Sequence, residues 1–94
     1  RVTGGELLFL ALATCFCNDI YREGAKRGIT VNSVEVEVDG DFEAERQPGS
    51  NIAYRVKVDA DADEEKLREL IRYVDSIAEI QNTLRVGTPV TLQI

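Results

Sequence analysis

Histidine, methionine and tryptophan are absent from this 94-residue chain, and cysteine and proline occur only twice each. Without histidine there is no imidazole general base, no Ser-His-Asp triad and little from which to build a transition-metal site. The residues call for neither a metal nor a cofactor. The lack of methionine implies that the native start lies outside this chain. The two cysteines, Cys15 and Cys17, stand two positions apart and do not make a disulfide scaffold. On a helix, positions i and i+2 point about 200° apart, so these two do not bridge each other without unwinding it. They read as reduced cytosolic thiols, which places the protein in the cytoplasm. No segment approaches the roughly 18 apolar residues of a membrane span, and Glu6 stands where a signal peptide would be basic. Bases are few and dispersed, 11 against 17 acids for a net charge of −6, which argues against nucleic acid and anionic membranes as partners. Length and composition, 44% hydrophobic and 30% charged, describe a single globular domain over residues 1–94.

Against these absences one segment stands out. Leu7 to Cys17, LLFLALATCFC, runs eleven residues with one hydroxyl and no charge. A helix that is apolar on every side must be buried on every side. A chain of this size has little material with which to wrap it. The expectation is that Cys15 and Cys17 sit deep in a shared core, at a subunit interface or against further chain.

Thr3-Gly4-Gly5-Glu6 matches a capping box, with Thr3 as N-cap and Glu6 at the third helical position. The helix runs through Tyr21 and Ala25 and stops at Gly28, with Lys26 and Arg27 in its last turn. In Ile29–Val38, Val34, Val36 and Val38 alternate with Glu35 and Glu37, the pattern of a half-buried strand. Asp39-Gly40-Asp41 marks a turn or a bulge, and Gln47–Asn51 is a loop. A second strand carries Ile52, Tyr54, Val56 and Val58 on one face and Arg55 and Lys57 on the other. Acids on one strand and bases on the next predict an antiparallel pair. Asp61 is the expected N-cap of a second helix, whose Leu67, Leu70, Ile71, Val74, Ile77 and Ala78 keep the rhythm of a helix lying on a sheet. A short helical turn is expected near Glu79–Thr83, and Val86–Ile94 reads as a closing edge strand containing Pro89. The order is α-β-β-α-β, an α+β domain.

The segment from Gly5 to Val38 resembles the OsmC/Ohr family (osmotically inducible protein C and organic hydroperoxide resistance protein). Glu6-Leu7-Leu8, Ala13-Thr14-Cys15, Arg27-Gly28-Ile29 and Val34–Val38 stand at the positions of that family's signature. Ala78–Leu92 looks like its later Cys-Pro-Val-Ser-Asn-Thr-Leu stretch and closing strand, with Asn82-Thr83-Leu84 preserved. The resemblance implies an OsmC-like fold: an intertwined homodimer with a long central helix packed on antiparallel sheet. It implies that Cys15 is the peroxidatic thiol of an enzyme reducing organic hydroperoxides in oxidative-stress defence. It implies further that Glu6 is the carboxylate orienting an activating arginine. That arginine belongs to a family segment ahead of the long helix, which this chain does not include. The family's second, resolving cysteine falls at Ala78, so resolution would require an external thiol reductant such as a lipoylated protein, thioredoxin or glutathione. Cys17 is an addition to the pattern.

Each of these residues also has a structural reading. Cys15 and Cys17 pack as small hydrophobes, with Cys17 as a possible second thiol. Glu6 closes the capping box. Asp19 and Arg22 form a solvated i, i+3 pair, and Asn82 and Thr83 cap or turn. Two other functions therefore stay open: a catalytically inactive OsmC-like dimer binding a small apolar ligand, or a ferredoxin-like regulatory or binding module, for which the first helix should be apolar on one stripe only.

Overall fold

The computed structural model describes residues 1–94, in the order α1 (Gly4–Lys26), β1 (Val31–Asp41), β2 (Ser50–Ala60), α2 (Glu64–Ile77) and α3 (Glu79–Arg85). Helix α1 begins as its sequence requires. The Thr3 hydroxyl accepts from the Glu6 amide at 3.1 Å, and the Glu6 carboxylate accepts from the Thr3 amide at 3.2 Å, so two orphan donors are satisfied reciprocally. It ends with Arg27 as C-cap, followed by Gly28 at φ +69°, a left-handed conformation that suits glycine.

β1 and β2 form a two-stranded antiparallel sheet in which Glu35 faces Lys57 and Glu37 faces Arg55. The predicted charge matching is present on the solvent face, where the Arg55 guanidinium donates to Asp39 at 2.5 Å and to Glu37 at 3.5 Å. Asp39-Gly40-Asp41 proves to be a bulge inside β1, with a register shift between Asp39 and Asp41. The opposite face of the sheet carries Val34, Val36, Tyr54, Val56 and Val58, packed on a core of Phe16 and Ile20 from α1 and Leu70 and Val74 from α2. Gly24 lets α1 approach the chain that leaves it: a Cβ there would meet Val31 Cγ2 at 2.9 Å and the Ile29 carbonyl at 3.3 Å.

Two expectations are corrected. The N-cap of α2 is Asp63, which accepts from the Lys66 amide at 2.9 Å; Asp61 instead accepts from the Asn32 side chain at 3.0 Å, tying the start of β1 to the turn after β2. The segment 86–94 is not a strand. It pairs with neither β1 nor β2, and Val90 and Leu92 are 98% and 82% exposed. The chain therefore ends α-α, with α3 in place of a closing strand. Within the single chain α1 is covered on one side: Leu12 and Phe16 are buried, whereas Leu7 and Leu10 are 57% and 60% exposed, because the small sheet and two short helices cover a single face. For the same reason Cys15 and Cys17 are half-buried within the single chain.

Candidate functional site

Cys15 lies in the middle of α1, one turn from Leu12 and one turn before Asp19. Its thiol donates to the Asp19 carboxylate, Sγ to Oδ2, at 3.9 Å. Asp19 is 6% exposed, and its second oxygen is held by Arg22 Nη2 at 2.9 Å. The Asp19–Arg22 pair anticipated at i, i+3 thus forms, but it is not a solvated surface pair: the carboxylate is buried beside the thiol.

An open cavity of about 540 Å³ adjoins these groups. Along α1 its lining runs from apolar Leu7, Leu10 and Ala11 to polar Asn18, Asp19 and Arg22, and α3 contributes Glu79 and Ile80. Cys15 and Thr14 line it between the apolar and polar stretches of α1. The cavity therefore joins the two stretches singled out in the sequence, the thiol segment of α1 and the segment beginning at Ala78. Ala78 is buried at the α2–α3 junction. The contact between α1 and α3 is fixed by Gln81, a buried residue whose side-chain amide donates to the Leu12 carbonyl at 3.0 Å. Its Oε1 has no protein partner. Gln81 was not legible as a contact from sequence, since a lone glutamine on a short helix carries no pattern. Asp19 was legible in part, because i, i+4 spacing from Cys15 puts the two on one face.

The remaining sequence-derived residues fall elsewhere. Glu6 is exposed in the capping box, nine residues before Cys15, hence about 13 Å away along the helix axis at 1.5 Å per residue. Cys17 does not line the cavity, and burial pushes its thiol upward from the ordinary range. Asn82 and Thr83 are structural: Asn82 donates to the Ser76 carbonyl at 2.9 Å, and Thr83 to the Glu79 carbonyl at 2.7 Å.

Two electrostatic clusters frame this region. Burial works against the charge of Glu23, but hydrogen bonds from Arg22, Lys26 and Arg27 outweigh it and hold the carboxyl below the usual glutamate range. At the α2–α3 junction Asp75 accepts from the Tyr54 hydroxyl and from Arg85 Nη2, the latter at 2.7 Å. Burial raises the Tyr54 phenol well above its ordinary range, and the bond to Asp75 adds to the shift. Asp75 itself is lowered, its burial outweighed by those two donors. No group of three or more Cys, Asp or Glu side chains converges as a metal site.

Residues 1–93 match a family model described as OsmC-like protein. Among solved structures, an OsmC-like protein from Mycoplasma pneumoniae matches with a TM-score of 0.79 at 20% identity, over 90% of this chain and 62% of that one. An OsmC-like protein of unknown function from Vibrio cholerae matches with a TM-score of 0.71 at 18% identity, over 88% of this chain and 58% of that one. The chain thus spans about three fifths of the length of either structure, and at these identities the likeness concerns the fold. The family match and that likeness in fold set aside the ferredoxin-like arrangement. The search of curated proteins gave no match.

Proposed function

This chain belongs to the OsmC-like family, and from that premise we propose that it forms a thiol-dependent peroxidase that reduces organic hydroperoxides, with Cys15 as the nucleophile. The observation that carries the reading is the cavity that Cys15 lines together with Ile80 and Glu79 of the second family segment, its α1 wall running from apolar to polar. An alkyl or aryl group has Leu7, Leu10 and Ile80 to lie against, with its O–O bond at the sulfur. Attack by Sγ on the terminal oxygen forms an S–O bond and breaks the O–O bond, giving a sulfenic acid and an alcohol. Ala78 stands where the family has a second cysteine, so an external thiol condenses with the sulfenic acid, releasing water, and a further thiol frees Cys15.

The working unit in this reading is a homodimer. The exposed apolar stripe of Leu7, Leu10 and Tyr21 on α1 supports it, as do the exposed Val90, Leu92 and Ile94. Glu6 supports the thiol from across the subunit interface, since within one chain it stands too far along α1. Free thiols suit a reducing, cytoplasmic setting. No helix is long and apolar enough to cross a membrane.

The alanine at position 78 favours a second reading, a dimer that has lost turnover and holds a small apolar ligand in the same cavity. Titration with cumene hydroperoxide separates the two. The peroxidase reading expects stoichiometric loss of peroxide by the wild type and none by Cys15→Ser; equal, negligible loss by both leaves the binding reading.

A further inference from the structure

We propose that Asp19 is a second catalytic residue at this site, taking the proton of Cys15 as the sulfur attacks and delivering it to the leaving oxygen. The inference rests on the peroxidase reading. Its basis is a division of labour between the two carboxylate oxygens: Oδ1 is engaged by Arg22 at 2.9 Å, and Oδ2 receives the thiol at 3.9 Å. The contact to sulfur exists only while the thiol carries its proton, so that proton already lies on the path to the carboxylate. Both side chains line the cavity in which the peroxide would sit, so the same oxygen is placed to reach the departing alkoxide. Arg22 also bonds Glu23 Oε2 at 3.2 Å, and this second anchor keeps the guanidinium, a positioning residue, behind Asp19. The other charged group facing the cavity is Glu79 of α3.

The step balances. The S–O bond forms as the O–O bond breaks, and the terminal OH of the peroxide moves to sulfur, which is oxidised by two electrons while the peroxide oxygens are reduced. The thiol proton passes to Asp19 Oδ2 and then to the alkoxide, which leaves as the alcohol, and the carboxylate is restored. A general acid–base contribution of this kind accelerates a reaction by about 10²–10⁴-fold.

The test contrasts two electrophiles on the full chain, one whose leaving group needs a proton and one whose leaving group does not. Cumene hydroperoxide oxidises Cys15, read as the dimedone adduct on its peptide; iodoacetamide alkylates the same sulfur and releases iodide. Asp19→Asn loses the proton acceptor in both reactions and the proton donor only in oxidation, so oxidation is expected to fall by at least about tenfold more than alkylation, and Asp19→Glu to restore part of the lost rate. Oxidation of Asp19→Asn within about threefold of wild type would overturn the proposal, as would equal falls in oxidation and alkylation, which leave no proton delivery to the departing oxygen. A wild type that alkylates normally but resists peroxide removes the peroxidase reading itself, and this inference with it.

Discussion

Glu23 shows how single residues set the chemistry of α1. Its buried carboxylate is surrounded by Arg22, Lys26 and Arg27 at 3.2 Å each, and its pKa lies below the ordinary glutamate value. A carboxyl lowered in the folded state contributes stability above its unfolded pKa and loses it as pH falls through the folded value. Glu23→Gln is therefore expected to be less stable than wild type near neutral pH, with the gap closing below about pH 4. Urea midpoints measured across that range check this; a gap that does not change with pH would contradict it. The same residue also anchors Arg22, which in turn holds Asp19 against the Cys15 thiol. These links were only half visible in sequence. The i, i+3 and i, i+4 spacings of Cys15, Asp19, Arg22 and Glu23 placed them on neighbouring faces. That Asp19 is buried is a matter of tertiary packing around α1, which no local pattern encodes.

At the scale of elements, local rules read well wherever the chain satisfies its own backbone. Thr3 and Glu6 form the expected capping box, and Thr3→Ala should cost about 1 kcal/mol of stability by thermal or urea unfolding. Glu6→Gln keeps an acceptor for the Thr3 amide and should change stability by less than about 0.5 kcal/mol. If Glu6 serves the thiol as well, that variant loses peroxide reactivity; unchanged reactivity confines the residue to capping. The valine–glutamate alternation of β1 and the facing bases of β2 gave their pairing, since each strand supplies the other's ladder. The failures have two physical sources. Asp61 and Asp63 both precede α2, and only the turn geometry decides which caps it. Val86–Ile94 has a strand's alternation, but alternation stabilises a strand only where another edge accepts its hydrogen bonds.

The whole molecule is more open than its size requires. Its radius of gyration is 15.3 Å, against roughly 12 Å for a compact chain of this length, and only 10 of 94 residues are buried. The surplus apolar surface lies along α1 and the C-terminal segment, as a helix apolar on all sides demands when a single chain covers one of them. The account expects a solution mass of about 21 kDa by light scattering, twice the chain's 10.4 kDa, and a monomer for Leu10→Glu. Dimer and cavity together serve one central claim, that the thiol in the middle of α1 is a peroxide-reducing nucleophile. Its most direct test is peptide mass spectrometry after one equivalent of cumene hydroperoxide in the presence of dimedone. The account predicts a single adduct on Cys15, with Cys17 unmodified. An unmodified Cys15, or an adduct on Cys17 alone, would contradict it.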